Sequence, residues 1–250
     1  MKTRSFLLSA LAALMLAGCS EDAREDEIPG NVLVGKAYLS LSLQSRTSTL
    51  TRVDNVKTED GSAAESAVND VTVLLFDEDE VCLDVVDFTG VRVGNSGGGT
   101  SPTAEASDAQ LVPEKTKKVF VVLNSAAKWT FTKEAVVGKA WSTINTAIDA
   151  VIGDVATASK FMMASAGTKD KGALTPVTVH KPTTYTAEDV QKAKDEAKAA
   201  PATINVDRLS AKVQVSVKNP GFTQPAGSNF TFNGWELSVT NKSVRLYSDL

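Results

Sequence analysis

One short motif near the amino terminus could carry covalent chemistry. Residues 16–19 read Leu-Ala-Gly-Cys, and they close an apolar run over residues 6–17 that follows a basic start. This order is typical of a bacterial lipobox, in which small residues admit the signal peptidase and the cysteine thiol is then acylated. The motif predicts a lipoprotein signal peptide over residues 1–18 and a lipid on Cys19. An ordinary secretory signal with an incidental cysteine is the alternative.

Other residue types that can catalyse reactions or hold ions occur without the partners that such chemistry needs. Ser125 and Lys128 stand three apart, but the companion Ser-Asp-Asn and Lys-Thr-Gly elements of acyl-enzymes are missing. The carboxylates of residues 77–80 lack the glycine and distal glutamate of a calcium loop, and the glycine-rich residues 94–100 lack the Lys-Ser/Thr of a phosphate loop. The chain has one histidine, His180, and two cysteines, so these residues alone cannot provide the four ligands of a zinc site. The sequence therefore predicts no catalytic residue, no cofactor, no metal and no enzyme.

The overall composition bounds the class of protein. The 250 residues include 26 Lys and Arg against 30 Asp and Glu, and 42% of the residues are hydrophobic. This balance predicts a folded core and no nucleic-acid partner, since nucleic acid favours a basic surface. The chain has two cysteines, so a lipid on Cys19 leaves Cys82 without a partner, and we expect no intrachain disulfide.

An acidic stretch follows the lipid site. Residues 20–27 read Ser-Glu-Asp-Ala-Arg-Glu-Asp-Glu, which is too polar to bury itself. We interpret residues 19–35 as a solvated tether. The stretch resembles the acidic signal that follows the cysteine in surface-exported lipoproteins of the Bacteroidetes, and a plain flexible spacer is the alternative. The chain is therefore expected at the cell surface, held in the outer membrane by the lipid on Cys19.

The first strand and the residues after it form a second candidate site. Residues 36–44 alternate with period two, which places Leu39, Leu41 and Leu43 on one face and serines on the other. The alternation predicts a half-buried strand. Residues 45–67 are mostly Ser, Thr, Asp, Glu and Ala, and a stretch of this length inside a domain predicts a mobile or functional linker.

The rest of the chain is predicted to be mostly strands. A charged turn at residues 77–80 separates two apolar runs and indicates a hairpin, and residues 117–124 are apolar on both faces, as in a central strand. We expect strands over 71–76, 81–88, 117–124, 161–163, 177–179, 204–217, around Trp235 and over 244–247, and helices over 141–152 and 186–199. These elements predict an antiparallel β-sandwich with two short peripheral helices.

Several motifs follow one another in a recognisable order. They are the lipobox at Cys19, the strand over 36–43 with its arginine-bearing linker, and the motifs at residues 118–124, 161–164, 204–213 and around Trp235. Each motif is weak alone, but together they cover nearly the whole chain. Their order resembles that of the Bacteroidetes fimbrillin family, the structural subunits of type V pili, and specifically the N-terminal domain of a major fimbrial subunit.

The resemblance implies a mainly β fold, a transthyretin-like, Greek-key sandwich over residues 36–250, in a fimbrial subunit exported as a lipoprotein precursor. An arginine-specific surface protease would remove the first strand, and a strand from another fimbrial subunit would fill the groove that had faced its three leucines. Arg52, nine residues beyond the last of these leucines, is the preferred cleavage site, and Arg46, three residues beyond it, is the second choice. The second domain and donor segment of the family are expected to be absent from this chain.

A second class of protein fits the same features. A surface glycan-binding or adhesin-like lipoprotein, as a tip or anchor component, would also be an acidic, acylated β-sandwich. An exposed cluster of Trp129, Trp141 and Trp235 would favour this alternative, whereas burial of these side chains in the core would count against it.

Overall fold

The structure, a computed structural model, covers most of the chain between residues 33 and 209 and a short stretch near the end. The described residues are 33–45, 67–91, 93–95, 106–125, 129, 131–146, 148–149, 161–167, 172–209, 243–244 and 246–247. Most of the strand predicted over 204–217 and the one predicted around Trp235 lie outside these residues.

The described part of the chain is mainly β, as predicted. Its strands are β1 (Lys36–Leu39), β2 (Leu41–Ser45), β3 (Val71–Phe76), β4 (Cys82–Asp87), β5 (Val93–Asn95), β6 (Gln110–Pro113), β7 (Lys118–Leu123), β8 (Ile148–Asp149), β9 (Met163–Ser165), β10 (Thr175–Pro176), β11 (Ala202–Arg208) and β12 (Ser243–Val244). Its helices are α1 (Lys133–Val136), α2 (Trp141–Ile144) and α3 (Ala187–Ala199).

Two sheets pack against each other across the main core. The large sheet has the order β4-β3-β7-β9-β11-β2-β5, with β10 beside one end of β7, and the small sheet pairs β1 with β6. Side chains from both sheets, among them Leu41, Val112 and Val121, meet in one buried cluster. The predicted β-sandwich is therefore confirmed. The large sheet is mixed, because β2 runs parallel to both β11 and β5 while the other described pairs are antiparallel.

A second core lies on the other face of the large sheet, where α1 and α2 cover it. Along β7, Val119 and Val121 point into the main core, whereas Phe120 and Val122 point into this second core. The Trp141 ring of α2 packs 4.4 Å from the ring of Phe120, measured between centroids. β7 is thus covered on both faces, as the sequence predicts for a central strand.

The helix predicted over residues 141–152 is wrong for the described residues after Ile144, and residues 147 and 150–152 lie outside the described ranges. α2 ends at Ile144, and β8 follows in a pair with β12. The Asn145 side chain donates to the carbonyl oxygen of Tyr247 at 3.0 Å and accepts from its backbone N–H at 3.1 Å. These contacts with residues near the end of the chain hold the backbone away from a helical course, which overrides the apolar spacing of residues 141–152.

Other local predictions agree with the structure to within a few residues. β3 and β4 form the expected hairpin. α3 matches the helix predicted over 186–199, with Thr186 as its N-cap, whose Oγ1 accepts from the backbone N–H of Asp189. β9 and β10 lie at 163–165 and 175–176 rather than at 161–163 and 177–179, because their pairing with β7 sets where they begin. Gly94, the first residue of the glycine-rich stretch, lies in β5 opposite Gln44. α1 is an additional helix that the sequence pattern does not indicate.

Cys82 lies in the second core and provides a simple test of the fold. Its thiol forms no disulfide, and only 1% of the residue is exposed. Burial raises the pKa of this thiol to about 11. At pH 8 we expect iodoacetamide to modify Cys82 at least about a hundredfold more slowly in the native chain than in urea, because the reacting thiolate is both scarce and enclosed. The measurement uses a Cys19→Ser variant, in which Cys82 is the one remaining thiol. Equal rates with and without urea would contradict the burial of β4.

Candidate functional site

Residues 36–45, here called the first segment, take part in both sheets of the sandwich. β1 pairs along its whole length with β6 of the small sheet. After Ser40 the chain enters the large sheet, where β2 lies between β11 and β5. The strand predicted over residues 36–44 is therefore two strands, one in each layer.

Ser40 is the point at which the chain passes from one sheet to the other. Its hydroxyl donates to the carbonyl oxygen of Ser107 at 2.7 Å, and its own carbonyl oxygen accepts from the N–H of Ala202 at 2.9 Å. Ser107 also forms two hydrogen bonds with Leu41, the residue after Ser40. Its Oγ accepts from the N–H of Leu41, and its N–H donates to the Leu41 carbonyl oxygen. The backbone at Ser40 is thus fixed on one side by Ser107 and on the other by the start of β11.

The three leucines of the first segment are buried together, as their alternation predicts. Leu39, Leu41 and Leu43 are each exposed by 1% or less, and they share the main core with Val73 and Ile204. Burial of this kind stabilises the fold by roughly 2 kcal/mol for each leucine. The first segment therefore supplies three of the buried side chains in the core between the two sheets.

The prediction that the first segment is half-buried is wrong, because its other face is covered as well. Ser40 and Ser42 are exposed by 1% and 8%, and Tyr38 by 4%. The period-two pattern identifies one apolar face, but serine and tyrosine can be buried when neighbouring groups cover or bind them. Here Ser107 binds the Ser40 hydroxyl, and α3 covers the tyrosine ring.

Tyr38 joins the small sheet to α3. Its ring packs in a buried cluster with Val190, Ala193 and Ala197 of the helix, and burial raises the pKa of its phenol. Its backbone exchanges two hydrogen bonds with that of His180, at 2.7 and 2.9 Å. The single histidine of the chain therefore holds β1 in place through its backbone.

The predicted lipidation and cleavage sites, Cys19, Arg52 and Arg46, lie outside the described residues. The structure fixes the two ends of the stretch that holds both arginines. Ser45 is the last residue of β2 and lies opposite Val206, and the carbonyl oxygen of Ala67 accepts from the side chain of Asn124 at 2.8 Å. Residues 46–66 thus connect two points that are tied to the sandwich.

The charged turn at residues 77–80 has structural partners in place of an ion. Asp77 Oδ1 accepts from the N–H of Val81, and Glu80 pairs with Lys118 at 2.9 Å.

Within the described ranges, no cluster of three or more His, Cys, Asp and Glu side chains could hold a metal ion, and no helix is long and apolar enough to cross a membrane. Of the Ser-x-x-Lys pair, Ser125 donates its backbone N–H to Asp70, and Lys128 lies outside the described residues.

The described tryptophans belong to the second core. Trp129 is exposed by 6% and Trp141 by 9%, while Trp235 lies outside the described residues. Trp129 contributes to the wall of an open cavity of about 450 Å³ beside α1, with Asp87, Thr132 and Lys133 among its other lining residues. A ring buried to this extent presents almost no free face on which a sugar could stack.

Sequence reasoning missed three parts of the site: Tyr38, Ser107 and α3 as a cover over β1. Tyr38 stands beside the alternating leucines, so its neighbourhood was visible in the sequence even though its burial was not. Ser107 lies in a polar stretch and carries no signal of its own. Its role depends on a partner 67 positions away.

The sequence and the fold of this chain both resemble those of known proteins. Residues 37–208, more than half of the chain, match the family model of the major fimbrial subunit protein (FimA). Two solved structures of candidate cell adhesion proteins from Parabacteroides distasonis ATCC 8503 are similar, one with 19% identity and a TM-score of 0.38 and the other with 13% and 0.35. The matches cover 70% and 69% of this chain but only 40% and 46% of those proteins, so the chain spans less than half of each. None of the curated proteins compared with the chain matches it.

Proposed function

This chain belongs to the major fimbrial subunit (FimA) family, and on that basis we propose that it is a structural subunit of a cell-surface fimbria rather than an enzyme. In this proposal the chain is made as a lipoprotein precursor, with lipid on Cys19 holding it in the outer membrane. An arginine-specific surface protease then cuts behind the first segment. A strand from another subunit replaces that segment and links the two subunits.

The burial of the first segment inside the sandwich is the observation that carries this proposal. β2 has a hydrogen-bonded neighbour on each side, and removing it would leave unpaired backbone groups on both β11 and β5. The same removal would uncover the apolar side chains that surround Leu39, Leu41 and Leu43. An open sheet position beside an exposed apolar core is a strong acceptor for an added strand.

The place where the pairing of β2 ends supports Arg52 rather than Arg46 as the cleavage site. Ser45 is still paired with its neighbours, so Arg46 directly follows a residue held in the sheet. A protease has to draw its substrate into an extended form, which would pull on β2 if the cut were at Arg46. Arg52 lies six residues further along the chain, so we propose it as the main site, with Arg46 as second choice.

Limited digestion of the folded chain by an arginine-specific protease, followed by amino-terminal sequencing, tests this assignment. We expect a new amino terminus at Val53, because Arg52 is seven residues beyond Ser45, the last paired residue of β2, so a cut there need not pull on the sheet. An Arg52→Lys variant should lose this product, and the matched Arg46→Lys variant should keep it. A terminus at Thr47 would move the site to Arg46, and resistance at both positions would contradict the maturation step.

The alternative of a glycan-binding surface lipoprotein gains no support from the described tryptophans. Trp129 and Trp141 are buried in the second core, where they pack against other apolar side chains. Sugar-binding sites commonly use an aromatic face that is open to solvent, since stacking requires contact with the ring. We therefore favour the structural subunit over the glycan-binding protein.

A further inference from the structure

The groove that holds the first segment has different walls at successive positions. β6 and α3 enclose the half that holds β1, and β11 and β5 enclose the half that holds β2. Ser107 lies at the junction between the halves. A strand that enters the vacated groove would meet these walls in a fixed order.

The position of Tyr38 requires a large aromatic side chain. The ring fills the space between β1 and α3, where Val190, Ala193 and Ala197 bring mostly small groups to the contact. The Lys194 ammonium also lies 5.8 Å from the ring centroid. A small side chain here would leave a cavity under the helix, which the surrounding structure could only partly close.

The position of Ser40 requires a small side chain with a hydroxyl. The Ser107 carbonyl oxygen is buried and accepts from the Ser40 hydroxyl. An alanine at this position would leave the carbonyl oxygen without that donor, and a larger side chain would not fit where the residue is 1% exposed. This position therefore selects for both size and chemistry.

Ser42 provides a contrast on the same face of the segment. It is 8% exposed, and its hydroxyl has no hydrogen-bond partner among the residues that the structure describes. Its position therefore limits size but does not demand a hydroxyl. The positions of Leu39, Leu41 and Leu43 demand aliphatic side chains, because all three are enclosed in the main core.

We propose that the vacated groove recognises an incoming strand by a fixed order of side chains at the positions of residues 38–43: aromatic, aliphatic, small hydroxyl, aliphatic, small, aliphatic. The proposal rests on the proposed function, because the first segment must leave before another strand can enter. Within the printed sequence this order occurs once, at residues 38–43 themselves. No other segment of these 250 residues meets the requirement. In the proposed function the occupant is a strand from another subunit, so we expect that strand to carry this order of side chains.

The test uses the full chain with the site of a sequence-specific protease inserted between residues 46 and 66, so that cutting does not depend on arginine. The nicked chain is mixed with a fluorescent peptide of residues 36–45, and unlabelled peptide variants compete for the groove. Fluorescence anisotropy measures binding. The uncut chain is the control and should bind no peptide, since its own first segment fills the groove.

We expect Ser40→Ala to weaken binding of the peptide by about tenfold and the matched Ser42→Ala to change it by less than about threefold. Tyr38→Ala should weaken binding by about a hundredfold, because a buried aromatic ring is lost, while Tyr38→Phe should bind nearly as well as the native peptide. Because the variants are synthetic peptides, none of them can fail by misfolding the host chain.

Two other results would overturn the proposal in distinguishable ways. If the native peptide binds but Ser40→Ala and Tyr38→Ala compete equally well, the groove accepts any apolar strand, and the recognition order is wrong while the proposed function stands. If the native peptide does not bind the nicked chain at all, the groove does not open. That result would contradict the proposed function and the recognition order together.

Discussion

Replacing Leu41 with aspartate is expected to leave most of the chain unfolded. The residue is fully buried in the main core, so the change removes a leucine side chain and encloses a carboxylate that has no partner there. The lost packing costs about 2–5 kcal/mol, and the buried charge adds several kcal/mol more. Together these costs are comparable to the whole stability of a typical domain, about 5–15 kcal/mol.

A urea titration of the full chain, followed by tryptophan fluorescence, measures this effect. The matched control is Val34→Asp, because Val34 lies in the same part of the chain but is 66% exposed. We expect the control to stay within about 0.5 kcal/mol of the native chain. A Leu41→Asp variant with a native-like urea midpoint would show that the first segment is not part of the core.

Replacing Cys19 with alanine is expected to move the protein from the membrane fraction to the soluble fraction almost completely. Acyl chains on Cys19 would provide the attachment proposed here, and two or more chains are needed for stable anchoring. Among the described residues, no helix provides an alternative by crossing the membrane.

Fractionation of cells that express each variant checks this expectation. Cys82→Ala serves as the matched control, because it removes the other cysteine of the chain and should leave the protein in the membrane fraction. If Cys19→Ala stays with the membrane as well, the lipid on Cys19 is not the anchor, and the lipoprotein part of the proposed function is wrong.

The sequence predicts best where a local pattern and the tertiary structure make the same demand. The alternation of Leu39, Leu41 and Leu43 identifies the core-facing side of the first segment, and Thr186 marks the start of α3. Both signals depend on side chains a few residues apart. Predictions from these signals therefore require no knowledge of distant partners.

The sequence predicts least where a distant partner determines the local structure. The spacing that suggested a helix through residue 152 gives way after Ile144, because Asn145 binds Tyr247. The passage between sheets at Ser40 depends on Ser107, and the burial of Tyr38 depends on α3. The periodicity of residues 36–45 and 141–152 carries no information about Tyr247, Ser107 or α3. These partners are found only from the fold.

The parallel pairing of β2 has a consequence for the order in which the chain folds. Leu41 lies opposite Ala202, about 160 positions later, whereas β3 pairs with β4 through a short turn. Contacts between such distant residues form slowly because a long loop must close first. During synthesis, β2 emerges early but has to wait for β11 before it can be seated. A state in which the groove is still empty, like the one that the proposed cleavage would produce, is therefore expected while the chain folds, and the unpaired edges of β11 and β5 would make that state prone to aggregation.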